Sequence, residues 1–275
     1  MALHQFLNES ASKTRISHNS NEEQYSPKVV FMKTIEEVFK DFLNEQRPLL
    51  NQETSEDYED YEEVVNLFVQ FLNSYAYLNL CEEDAELFDS LYNKEDKECC
   101  EIFGPEYIGD SEVEEFLSNY MIRKVFADVD FLKASVQVIS KLVKWLHANG
   151  YMDAEDYEEA EKNIRELKSD LPGAKELALL FFEYIESHPI KKYTEELSGE
   201  FQIDEIEPGK LWLSEDFILG QAVGPVIVSE EISSKAKVGW TVYLIVGKTG
   251  KTWKPLAVGS VYPTFVASFE FSELN

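Results

Sequence analysis

Chemistry in this chain could begin in residues 232–269, which contain no Asp or Glu although the whole sequence has 53 acids. Lys235, Lys237, Lys248, Lys251 and Lys254 alternate there with Trp240, Tyr243, Trp253 and Tyr262. Ammonium groups meet phosphates and aromatic rings stack on bases, so this mixture suits a face that binds single-stranded nucleic acid. The same residues fit two other arrangements. In one, Trp240 and Trp253 fill a small barrel while the lysines guard its edges against stray strand pairing. In the other, the lysines face the acidic remainder of the chain and dock the two parts together. The exposure of Trp253 separates these readings.

Three further features could carry chemistry. Gly247, Lys248, Thr249, Gly250, Lys251 and Thr252 look like a phosphate loop, but that motif needs a glycine five residues before its second glycine. Those positions hold Ile245 and Val242. The loop must also open a helix whose amides hold the phosphate, and Trp253, Lys254 and Pro255 follow instead. A β-hairpin turn is the expectation. Cys81, Cys99 and Cys100 are odd in number, and neighbouring cysteines bridge only with strain. No metal-binding spacing joins them to His147, so reduced thiols, no metal and no cofactor are expected. His147 ends an apolar helix, where a histidine commonly satisfies carbonyl groups. Carboxylate pairs are so numerous that none stands out as an acid–base couple. No residue stands out as catalytic, and a non-catalytic role is the expectation.

The charge is −28 over 275 residues, and residues 201–275 contribute 9 acids and 6 lysines to it. Nearly all the negative charge therefore lies in residues 1–200, and a net charge of this sign counts against a general nucleic-acid coat. Only Arg15, Arg47, Arg123 and Arg165 could offer a bidentate fork to phosphate or guanine. Hydrophobic residues make up 44% of the chain, enough to fill a core. No long apolar run is present for a membrane span, and the first residues lack a secretory pattern, so a cytoplasmic location is expected.

The elements that must position these residues follow from periodicity. Residues 1–28 are polar and aperiodic and read as a disordered tail. Thr34 and Glu37 form a capping box before Ile35, Val38, Phe39, Phe42 and Leu43, with Pro48 closing the helix. A second box at Thr54 opens a helix with Tyr61, Val65, Phe68, Leu72 and Tyr75 on one stripe. Next comes an acidic helix with Leu87, Phe88, Leu91 and Tyr92 expected inward. A box at Ser111 and Glu114 opens a helical stretch with Val113, Phe116, Leu117 and Tyr120. The longest apolar helix spans about 129–148 and ends at Asn149 and Gly150. Two more helices, about 154–168 and 174–187, are expected on either side of Pro172 and Gly173. Beyond a linker the period falls to two, with a type II turn at Pro208 and Gly209 and five short strands.

The expected architecture is therefore α+β: an acidic all-α helical bundle at 29–190, then a small β-barrel, SH3-like or OB-like, at 198–268. The functional expectation is an adaptor that contacts another protein. The alternative is single-stranded nucleic-acid binding through Lys235, Lys237, Trp240, Tyr243, Lys248, Lys251, Trp253 and Lys254.

Overall fold

Thr34 starts the first helix as its spacing predicts. Its hydroxyl accepts from the Glu37 amide at 3.4 Å, and the Glu37 carboxylate accepts from the Thr34 amide at 3.0 Å. Two of the donors that a helix start leaves open are thereby satisfied. The computed structural model describes residues 33–50, 55–215 and 221–263. The 1–28 tail, the Thr54 cap, the strand start expected at Phe217 and the residues after 263 lie outside the described residues.

Helices α1 (Ile35–Leu50) and α2 (Ser55–Tyr75) pack their aromatic stripes together. Pro48 does not close α1, which runs on to Leu50. Ile35, Val38, Phe39 and Phe42 are buried against Val64, Val65, Phe68 and Leu72. Phe39 stacks on Phe68 at 5.7 Å between ring centroids, and Phe116 meets Phe68 at 4.8 Å. After a 3-10 turn (Ala76–Asn79) come α3 (Glu82–Glu95), the single-turn α4 (Cys99–Ile102) and α5 (Asp110–Glu115). The amide that receives the acidic cap of α5 is that of Gly109, which donates to Glu112 at 2.9 Å. The box sits two residues earlier than Ser111. A π turn (Phe116–Tyr120) then leads into α6 (Met121–Arg123).

Helix α7 (Val129–Ala148) has the bounds its apolar run implies. The Asp128 carboxylate accepts from the Phe131 amide at 2.8 Å, and the chain leaves the helix at Gly150 with φ +74°. Leu132, Val136, Val138, Ile139, Leu142, Val143 and Leu146 are all buried, so this helix is the centre of the first core.

The two helices expected around Pro172 are one. Helix α8 (Ala154–Ser187) is continuous over 34 residues with Pro172 inside it. An interior proline costs a hydrogen bond and a clash, about 3 kcal/mol. Tertiary packing offsets that cost: Leu171, Pro172, Ala174 and Leu177 are all buried. Ala160, Ile164, Leu167 and Leu171 belong to the core of α7, whereas Ala174, Leu177 and Phe181 belong to a second core made with the strands. The helix is a shared beam. All described residues fall in one compact unit.

Five strands follow: β1 (Glu196–Glu207), β2 (Lys210–Glu215), β3 (Gln221–Ile227), β4 (Thr241–Thr249) and β5 (Thr252–Tyr262), with helix α9 (Glu230–Lys235) between β3 and β4. The hydrogen-bonded order is β1-β2-β3-β5-β4, and β4 pairs back onto β1, so the sheet closes on itself. All neighbours are antiparallel except β3 and β5. Gly209 at φ +72° makes the β1–β2 turn as expected. Period-two alternation places Val242, Leu244 and Val246 inside while Tyr243 and Ile245 point away.

Candidate binding surfaces

The glycine–lysine loop is a hairpin. Thr249 pairs with Thr252, so only Gly250 and Lys251 form the turn, and Gly250 has φ +66°. A two-residue turn with glycine first has the geometry that suits the twist of paired strands. No helix follows it to hold a phosphate.

Among the described residues of the lysine stretch, Tyr243 is the one aromatic side chain left exposed. Trp240 is 3% exposed and Trp253 7%, both within the second core. Of the arrangements the sequence allows, both rings follow the one in which they fill the core, and the reason is visible around Trp240. Its carbonyl accepts from the Ile203 amide at 2.8 Å, and the Gly239 amide donates back to the Ile203 carbonyl at 2.8 Å. The ring then lies against α8 at Gly173, where an added Cβ would stand 3.3 Å from Trp240 Cη2. Gly173 is small because an indole lies against it.

Two of the five lysines tie the sheet to that same helix. Lys235 donates to Glu176 at 2.6 Å and Lys237 to Asp170 at 2.6 Å. The Trp240 indole N–H also donates to Asp170, and the Lys237 ammonium lies 5.4 Å from the Trp240 centroid. Burial pushes the Asp170 carboxyl upward, but the hydrogen bonds from Lys237, Ser169 and Trp240, with the Lys237 charge, outweigh it and hold it below its ordinary value. Arg123 of α6 makes a further link, donating to Glu200 on β1 at 2.7 Å with its guanidinium 5.1 Å from the Tyr262 centroid. Its Nε is buried without a partner.

Lys248 pairs with Glu195 at 2.7 Å and lies over Trp253 at 5.1 Å. Tyr243 is 39% exposed, its hydroxyl is within hydrogen-bond reach of Ser198 at 3.1 Å, and its ring packs on Gly259. Lys251 at the turn is exposed and Lys254 is half-buried. Of the eight candidates, then, two tryptophans are core, Lys235 and Lys237 are docking contacts, Lys248 is paired across to Glu195 beside β1, and Tyr243, Lys251 and Lys254 remain at the surface.

The other sequence candidates are quiet. Burial pushes the Cys99 thiol up to about 11 and raises Cys100 further, which keeps both protonated. His147 Nδ1 lies 3.2 Å from the Met152 carbonyl, and its ring stacks on Tyr157 at 4.2 Å. Among the described residues no group of three or more His, Cys, Asp or Glu is arranged to hold a metal. A cleft of about 40 Å³ between α5 and α8 is lined by Glu114, Asn163, Glu166 and Asp170, with room for little more than a water. Burial, followed by the charges of Asp110, Glu115 and Glu166, raises the Glu114 carboxyl. Among the described residues no helix is long and apolar enough to cross a membrane.

The surface that periodicity alone did not reveal is α3. Leu87, Phe88, Leu91 and Tyr92 were expected to face inward, yet no residue of this 14-residue helix is buried. Leu87 is 47% exposed and Tyr92 50%, and Leu78 in the preceding turn is 56% exposed. The helix is held by few contacts. Tyr77 stacks on Phe88 and Phe88 on Tyr92, both at 5.5 Å, and the Tyr107 hydroxyl donates to Asp84 at 2.7 Å. Residues 81–98 hold eight acids against Lys94 and Lys97.

No protein-family model, curated protein or solved structure matches this chain.

Proposed function

We propose that this chain is a non-catalytic protein-recognition adaptor whose α3 region receives a basic, amphipathic segment of another protein. The observation that carries this reading is a helix with no fully buried residue, on which Leu87 and Tyr92 are exposed and Phe88 and Leu91 are half-buried. Isolated helices of this length are marginal in water, and most helices in proteins are stabilised by packing an apolar face. Each large apolar side chain fully covered by a partner contributes about 1.5–3 kcal/mol. The acidic surroundings select the partner's sign, because a neutral or acidic apolar segment would leave the carboxylates of α3 unmatched.

The test is a titration of the full chain with an 18-residue peptide of Leu and Lys in helical amphipathic order. A scrambled peptide of the same composition and a version with Glu for Lys serve as controls. The expected result is binding of the first alone, weakened about tenfold or more, or 1.4 kcal/mol, by Leu87→Ser with Tyr92→Ser. Equal binding of the scrambled peptide, or indifference to the double substitution, overturns the proposal.

A second reading has one observation in its favour. The circuit β1-β2-β3-β5-β4 with a helix between β3 and β4 supports a small five-stranded barrel of OB type rather than SH3 type, and OB barrels bind single strands. With Trp240 and Trp253 buried, such a site would rest on Tyr243, Lys251 and Lys254. Anisotropy of labelled single-stranded RNA and DNA with the full chain tests it. Salt-sensitive binding lost on Lys251→Glu with Lys254→Glu supports this reading, and flat traces remove it.

A further inference from the structure

Helix α8 carries a second uncovered apolar face, distinct from α3 and chemically different from it. Ala174, Leu177 and Phe181 face the strands, and on the opposite side Lys175, Leu179, Phe182 and Glu186 succeed one another at helical spacing. Leu179 is 48% exposed and Phe182 58%. Phe126, fully exposed in the turn before α7, extends this stripe, with the Lys175 ammonium 5.8 Å from its ring centroid. Among the described residues neither Lys175 nor Glu186 has a salt-bridge partner.

The order of these residues is self-complementary. Lys175 and Glu186 are equidistant from the point between Leu180 and Phe181, and so are Leu179 and Phe182. A two-fold axis through that point sets two copies of the stripe antiparallel. Lys175 then meets Glu186 of the other copy, and Leu179 meets the other Phe182, each contact occurring twice. This is the requirement for an isologous interface, in which residue i touches j and j touches i. A basic partner segment does not explain a stripe that carries its own cation at one end and its own anion at the other.

We propose that the stripe Lys175, Leu179, Phe182 and Glu186 of α8 is the contact through which two copies of this chain form an antiparallel, two-fold dimer. The stripe alone covers less than the roughly 800 Å² per partner of a standard interface, so the dimer is weak and reversible. The net charge of −28 opposes it further. The two cross-helix ion pairs and the central apolar contact act against that repulsion.

Sedimentation velocity of the full chain over a wide concentration range, at about 0.15 M salt where the Debye length is about 8 Å, reads the equilibrium directly. The expected result is a monomer–dimer exchange that Phe182→Glu abolishes. Lys175→Glu alone and Glu186→Lys alone each place like charges opposite one another and weaken the dimer by about tenfold or more. The double variant Lys175→Glu with Glu186→Lys restores it. All four positions are at least partly exposed, and a thermal melt of each variant confirms an unchanged fold. A chain that stays monomeric throughout, a dimer indifferent to Phe182→Glu, or a double variant no better than the singles overturns the proposal.

Discussion

Trp240 and Asp170 carry the contact between α8 and the sheet, and each supports an expected outcome. Truncating a buried tryptophan typically costs about 3–5 kcal/mol, so Trp240→Ala should unfold well below the parent in a thermal melt. Gly173→Leu should also destabilise, because its side chain enters the space of the indole. Asp170 is held below its ordinary value of 3.8. A carboxylate depressed by folding contributes stability that is present above its unfolded value and lost as pH falls through its folded one. Asp170→Asn should therefore lower the melting temperature at pH 7, and the gap from the parent should shrink toward pH 3 and below. Glu114 runs the other way. Its raised carboxyl is more stable protonated, and that advantage is lost as pH rises, so Glu114→Gln should leave stability at pH 7 unchanged or raised by up to about 1 kcal/mol. The cysteines offer a third check. Exposed Cys81 should react with an alkylating reagent in the native state, and buried Cys99 and Cys100 only after unfolding.

At the scale of elements, local rules were legible where local physics decides. The Thr34 box, the bounds of α7 and the Gly250 turn could all be read directly from residues, because a cap, an apolar run and a positive φ are satisfied within a few positions. Pro172 and Gly173 misled for the opposite reason. Their local preference is to end a helix, and burial between two cores outweighs it. The inward face expected for α3 is only half made, with Phe88 and Leu91 half-buried and Leu87 and Tyr92 exposed. Leu87, Phe88, Leu91 and Tyr92 have the same spacing whether the rest of the chain or another molecule covers them, so periodicity cannot tell which. Trp240 and Trp253 were ambiguous because lysines flank both a barrel edge and a phosphate-binding face. At this scale Arg123→Ala should cost about 1–3 kcal/mol in a denaturant titration, since it leaves the half-buried Glu200 carboxylate without its cation.

The whole molecule is an acidic helical region and a closed sheet joined along one helix, with lysines of the acid-poor segment used in part to fasten the two. That use explains why a stretch so suggestive of nucleic acid presents few free cations. It leaves the exposed Leu87 and Tyr92 of α3, set among carboxylates, as the surface on which the proposed recognition rests. Hydrogen exchange of the full chain, alone and with the basic amphipathic peptide, tests that claim directly. Free α3, with no buried residue, should exchange much faster than α7. Adding the peptide should slow residues 82–95 while leaving the β4–β5 hairpin unchanged. Unaltered exchange in α3, or protection appearing at the hairpin instead, would contradict the account.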